Sequence, residues 1–180
     1  MSHPVEELIR LCQKNDRKAQ YALYGRFCDY AMKICYRFAT NIEEAKDMVQ
    51  NTFVRVFTHI HDYNPQKGTF VAWLHQIALR EALAVRRKKT NWQSVELAVL
   101  EYTDRQTNED IIDKMTVDDM ESLIRKLPES QRIILLLYYF DDCTHEEIAD
   151  ILNIGVSSSR SRLTRARAEL LRQWTQLQCR

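Results

Sequence analysis

The chain has 180 residues, 45% hydrophobic and 28% charged, with 26 Lys and Arg against 25 Asp and Glu for a formal net charge of +1. That length and composition allow one domain or two small ones with packed cores, and exclude wholesale disorder. Three Gly and three Pro are too few for the turns of a sandwich or barrel, so the expected fold class is all-α, and no apolar window is long enough to suggest a membrane span.

The opening residues, Met1-Ser2-His3-Pro4-Val5-Glu6-Glu7, lack a basic segment followed by an apolar run, so no secretory signal is expected. Asp16 is placed to cap a helix over 17–39, with Ala19, Leu23, Phe27, Ala31, Ile34 and Phe38 at steps of three and four. Asn41-Ile42-Glu43-Glu44 reads as an N-cap with a reciprocal Glu. The helix it opens carries Ala45, Met48, Val49, Phe53, Val56, Phe57 and Ile60 on one stripe. Asp62-Tyr63-Asn64-Pro65-Gln66-Lys67-Gly68 breaks the pattern and predicts a loop. A helix over 70–89 follows, with Phe70, Leu74, Ile77 and Ala78 inward. These elements make one small bundle over 1–90.

From 91 to 115 periodicity fades and acids accumulate, which predicts a linker. Thr116 is placed to cap a short helix ending at Lys126, and Pro128 suits a helix start. Ile133-Ile134-Leu135-Leu136-Leu137-Tyr138-Tyr139-Phe140 is apolar all round and predicts a largely buried helix. Thr144-His145-Glu146-Glu147 is a second capping box, Asn153-Ile154-Gly155 a tight turn, and a last helix is expected from Val156 to Trp174. Residues 116–180 thus form a second helical unit.

Net charge conceals a segregation. Residues 80–92 hold Arg80, Arg86, Arg87, Lys88 and Lys89 against Glu81, net +4, and residues 93–124 hold two bases against nine acids, net −7. Arg160, Arg162, Arg165, Arg167 and Arg172 cluster again near the C-terminus. Two basic patches flanking an acidic stretch point to a polyanion partner that the net charge hides. The five Cys, at 12, 28, 35, 143 and 179, include no C-x-x-C pair, so reduced thiols are expected, not a disulfide scaffold or zinc site. His59 and His61 read as surface residues, and no cofactor is expected.

The last two helices fit a helix-turn-helix. Ala149 supplies the small residue needed where the helices cross, and Ile148, Leu152, Ile154 and Leu163 supply the apolar contacts around the turn. The outward residues of the second helix, Ser157, Ser158, Arg160 and Ser161, then Arg165 and Arg167, are hydroxyls and guanidiniums suited to base edges and phosphates in a major groove.

These motifs carry a family resemblance. Leu127-Pro128-Glu129-Ser130-Gln131-Arg132, Tyr138-Tyr139-Phe140-Asp141-Asp142, Glu146-Glu147-Ile148-Ala149 and Ser161-Arg162-Leu163-Thr164-Arg165-Ala166-Arg167 resemble region 4 of bacterial extracytoplasmic-function (ECF) sigma factors. Asp47-Met48-Val49-Gln50-Asn51-Thr52-Phe53 is similar to their region 2.2. Phe70-Val71-Ala72-Trp73-Leu74-His75-Gln76-Ile77-Ala78, with Arg86-Arg87-Lys88, resembles regions 2.3 and 2.4.

The resemblance implies a cytoplasmic, non-enzymatic initiation factor that binds core RNA polymerase, at the β′ clamp helices and the β flap, and promoter DNA. Region 4 would read the −35 duplex with Ser157, Ser158, Arg160 and Ser161, while Arg162, Arg165 and Arg167 would contact phosphate or polymerase. Region 2 would read and melt the −10 element. Its loop over 61–69 would hold an extruded base with Asn64, Gln66, Lys67 and Thr69, and Arg80, Arg87 and Lys88 would form a positive track that offsets the lost stacking. Tyr63 is a stacking candidate, and Trp73 is either core or a stacking surface. Asp47, Gln50, Asn51 and Val54 would dock on the clamp helices. Sigma factors of this kind commonly have an anti-sigma partner, although no residue here identifies one.

Departures from the family pattern stand out. Arg80 replaces a usual Asn, Ala84 a usual Asn or acid, and Gly155 a frequent Pro. Ser159 replaces an apolar residue, and without a partner its buried hydroxyl would loosen the helix packing at a cost of ~1–3 kcal/mol. The acidic linker reads as a solvated tether, as a polyanion mimic in the RNA channel of the polymerase, or as a cover over the basic clusters. A stand-alone helix-turn-helix regulator is the competing reading, but it leaves the region 2 motifs unexplained. A helical adaptor would lack salt-dependent DNA binding. No phosphate loop, metal cluster or nucleophile-base pair points to an enzyme.

Overall fold

The computed structural model describes residues 4–89 and 117–178, and every regular element among them is helical. The expected linker over 91–115, the Thr116 cap and Cys179 lie outside the described residues. The chain divides into two compact units, the first ending at Lys89 and the second beginning at Thr90.

The first unit has four helices. Helix α1 (Val5–Cys12) follows Pro4 and buries Leu8, Ile9 and Cys12. It was not expected from the sequence, although apolar residues at 5, 8, 9 and 12 are a helical stripe. Asp16 caps α2 (Arg17–Phe38) by accepting from the Ala19 N–H at 2.9 Å. Asn41 caps α3 (Ile42–Thr58) by accepting from the Glu44 N–H at 2.8 Å. The reciprocal half of that box is displaced by one residue: the Glu44 carboxylate accepts from the Thr40 N–H at 2.6 Å and hydroxyl at 2.8 Å. A 3-10 turn (Ile60–Asp62) and a loop lead to α4 (Phe70–Lys89).

Helices α2, α3 and α4 pack on one another, and α1 packs on α2. Leu23, Phe38, Met48, Val56 and Leu74 are fully buried at their centre. Burial pushes the Cys12 and Cys35 thiols up to about 11, which leaves them protonated core residues at neutral pH.

In the second unit, α5 (Val117–Lys126) and α6 (Glu129–Tyr139) are joined through Leu127 and Pro128. The apolar run of α6 is buried only from Ile133 to Leu137, while Tyr139 and Phe140 are exposed. Helix α7 (His145–Leu152) starts in the expected capping box. Thr144 Oγ1 accepts from the Glu147 N–H at 3.2 Å, and the Glu147 carboxylate accepts from the Thr144 N–H at 2.8 Å. Asn153 then takes the left-handed conformation, φ 54° and ψ 54°. Asn tolerates this region better than most side chains, which lets the chain turn at once into α8 (Val156–Gln178).

Candidate functional site

In the second unit α7 and α8 pack against each other through Ile148, Ala149, Leu152 and Leu163, all buried. That packing fixes which side of α8 is free. Ser159, Arg162, Leu163 and Ala166 fall at i, i+3, i+4 and i+7 and make the inner stripe. Ser157 and Arg160 are exposed, and Ser158, Ser161, Arg165 and Arg167 are half-buried. Arg162 does not join them: at 4% exposure it belongs to the interior. Its spacing from Ser159 and Ala166 is the sequence signal for that inner place.

Ser159 is fully buried, yet its hydroxyl has a partner, since Ser159 Oγ lies 2.9 Å from His145 Nδ1. The loose packing expected from an unpartnered hydroxyl is therefore corrected by a residue fourteen positions away. The His145 ring also stacks on Tyr138, with centroids 5.1 Å apart. Burial first, then the Arg160 charge, lowers the His145 pKa below its ordinary 6.5; Glu146 opposes the shift and Arg167 adds to it. Arg160 pairs with Glu146 at 3.3 Å, both side chains being exposed. Arg167 donates to the Tyr139 hydroxyl at 2.8 Å, and its guanidinium lies 5.4 Å and 5.8 Å from the Tyr139 and Tyr138 ring centres.

In the first unit the loop after the 3-10 turn is organised from within. Asn64 Oδ1 accepts from the Gln66 N–H at 2.9 Å, and the Asn64 carbonyl accepts from the Lys67 N–H at 3.0 Å, a tight turn with Pro65 at its second position. Gly68 sits at φ 151°, a conformation other residues adopt only with strain, and its carbonyl accepts from the Tyr63 hydroxyl at 3.3 Å. Thr69 Oγ1 caps α4 by accepting from the Ala72 N–H at 3.2 Å. Asn64, Gln66, Lys67 and Thr69 are all exposed.

Tyr63 is half-buried, 5.7 Å from the Phe70 ring and 5.6 Å from the Trp73 ring. Trp73 is half-buried too, so it packs while keeping part of its surface in solvent.

The basic helix end is divided. Arg80 and Arg87 are exposed on one face of α4, and Lys88 follows on the same helix. Arg86 is not part of that track. It is 1% exposed and ion-paired with Glu44 of α3. A second ion pair, Arg55 with Glu81, also joins α3 to α4. Asp47, Gln50, Asn51 and Val54 form one exposed stripe of α3, Val54 at 63%. Asp47 and Asn51 border a cleft of about 470 Å³, also lined by Glu43, Glu44 and Val85.

Comparison with known proteins accounts for both units. Residues 23–91 match the family model for sigma-70 region 2, and residues 118–170 that for sigma-70, region 4. The ECF RNA polymerase sigma factor SigW of Bacillus subtilis (strain 168) is 28% identical over 184 residues, covering 96% of this chain and 98% of that protein. The ECF RNA polymerase sigma factor SigE of Mycolicibacterium smegmatis is 30% identical over 154 residues, covering 82% of this chain and 58% of that protein. The sigma factor RpoE of Bartonella quintana, solved in complex with the anti-sigma factor NepR, shares the fold with a TM-score of 0.51 and 18% identity, covering 85% of this chain and 94% of that one. With the two region models matched in order along one chain, and relatives aligned over most of it, the chain belongs to the ECF sigma factors, which act with core RNA polymerase on promoter DNA.

Proposed function

We propose that the two units divide promoter reading between them, residues 1–90 taking the −10 element and residues 116–180 the −35 element, with 91–115 as the acidic connection. The observation that carries this is the exposed pair Ser157 and Arg160. They lie at the start of a helix whose opposite stripe is buried, on a packed helix-turn-helix. Hydroxyls and one guanidinium so placed suit phosphates and base edges of a duplex. Arg165 and Arg167, half-buried and further along, suit the adjoining backbone or the β flap.

In the first unit, the exposed Asn64, Gln66, Lys67 and Thr69 offer polar groups in the loop that follows Tyr63, suited to a base taken out of its stack. Arg80, Arg87 and Lys88 supply the neighbouring charge. Asp47, Gln50, Asn51 and Val54 form the docking stripe for the β′ clamp helices. Polymerase does the chemistry, in the cytoplasm. A repressor of the anti-sigma kind, as carried by the Bartonella quintana protein, is the expected regulator.

The test is run-off transcription with purified core polymerase on a promoter library. Start sites that depend on the added chain, with selected bases at both −10 and −35, support the reading. Promoter binding by the chain alone, with no start-site choice conferred on core polymerase, refutes it and favours a stand-alone regulator.

A further inference from the structure

The first two residues of α7 each reach a residue of α8 fourteen positions on: His145 meets Ser159 at 2.9 Å, and Glu146 meets Arg160 at 3.3 Å. His145 also bears on α8 by a second route, since it stacks on Tyr138, and Tyr138 lies against the Arg167 guanidinium. At 100° per residue Arg160 and Arg167 share one side of α8, about 20° apart, and Ser159 lies about 80–100° round from both, so holds from two directions resist rotation of the helix. The amount matters: a rotation of about 20° carries a side-chain tip about 6 Å from the axis through about 2 Å, more than a hydrogen bond tolerates. An apolar residue at 159 would fill the same space, but a hydrogen bond is directional where aliphatic packing is not.

We propose that His145 and Glu146 are positioning residues that set the rotation of α8, and with it the aim of Ser157, Ser158 and Arg160 at promoter bases. This rests on the second unit being the −35 reader. Both residues act through α8, and the His145 ring is the partner of the buried Ser159 hydroxyl.

The experiment uses holoenzyme reconstituted from core polymerase and the full chain. It measures the ratio of transcription from a library-selected −35 element to that from a scrambled one. His145→Ala is expected to lower the ratio about 10-fold, the worth of one buried hydrogen bond. Glu146→Gln should lower it about 2- to 5-fold, as befits an exposed pair. His145→Asn, which keeps a polar atom near the Nδ1 position, should retain most of the ratio. His145→Ala with Ser159→Ala should lose no more than His145→Ala alone, because the stranded hydroxyl is gone.

A double variant that loses clearly more than His145→Ala alone, or an unchanged ratio in His145→Ala and Glu146→Gln while Arg160→Ala abolishes it, overturns the positioning role. A ratio that Arg160→Ala leaves unchanged overturns the −35 reading itself. Glu146 is exposed, so Glu146→Gln decides the matter even if His145→Ala fails to fold.

Discussion

Arg86 and Arg87 are adjacent in a basic run, and the structure predicts opposite consequences for their loss. Arg87 is exposed on the face it shares with Arg80. Arg87→Ala should remove one phosphate contact and reduce the logarithmic salt slope for single-stranded −10 DNA by about 0.7. Stability should move by less than about 0.5 kcal/mol, as for most surface substitutions.

Arg86 is 1% exposed and its charge is matched by Glu44, so Arg86→Ala should leave the salt slope alone and destabilise the first unit. Removing one partner of a buried pair costs about 3–5 kcal/mol. Here the surviving Glu44 side chain is 12% exposed and keeps its Thr40 donors. That moves the expected cost down to about 2–3 kcal/mol, or about 10–20 °C in Tm for a unit of this size. Arg86→Met with Glu44→Gln, which discharges both sides, should recover most of the loss. The assays are holoenzyme binding to a −10 oligonucleotide across a salt series, and hydrogen exchange at α3 and α4 amides in the full chain. A reduced salt slope in Arg86→Ala with α3 and α4 as protected as before would refute the argument.

Three further expectations follow from other parts of the molecule. Asp47→Ala combined with Gln50→Ala should weaken core polymerase binding by roughly 10-fold without changing helicity; undiminished holoenzyme formation in a competition assay would remove the docking assignment. Thr144→Ala removes the hydroxyl that caps the Glu147 N–H of α7 while leaving the Thr144 N–H to the Glu147 carboxylate, and should cost about 1 kcal/mol, read by thermal unfolding of the second unit. Because the folded His145 resists protonation, the unfolded chain binds the proton first as pH falls below 6.5. The second unit should therefore lose stability from that point downward and be insensitive to His145 above about pH 7. The same acid loss in His145→Asn would show that the proton goes elsewhere.

The parts legible in the sequence were those whose physics is local. Asp16, Asn41 and Thr144 cap helices through bonds spanning three residues, and such bonds can be read from spacing alone. The inward faces of α2, α3 and α4 follow from the 3.6-residue period. What escaped depends on pairings set by the tertiary fold. Nothing near Arg86 announces Glu44, forty-two residues earlier, and without it Arg86 looks like one more DNA-facing charge. Ser159 looked like a packing defect because His145 was seen only as a cap-box neighbour. The apolar run through Tyr139 and Phe140 predicts a largely buried helix, but hydrophobicity does not say where a helix leaves its core, and these two are exposed. Arg162 differs: its place three residues after Ser159 and four before Ala166 is local information, and it marks the inner stripe despite the charge.

Glu44 has a double attachment. One carboxylate holds the backbone before α3 through Thr40 and the far end of α4 through Arg86, and it also lines the cleft beside Asp47. Glu44 therefore ties the exposed stripe of α3, the proposed docking surface, to the helix end proposed for DNA. On that reading, whatever polymerase on the stripe adds to the helix end, DNA on the helix end must return to the stripe, because coupling between two sites is reciprocal. Losses from Asp47→Ala and Arg87→Ala should then fail to add, which binding titrations of the single and double variants would read.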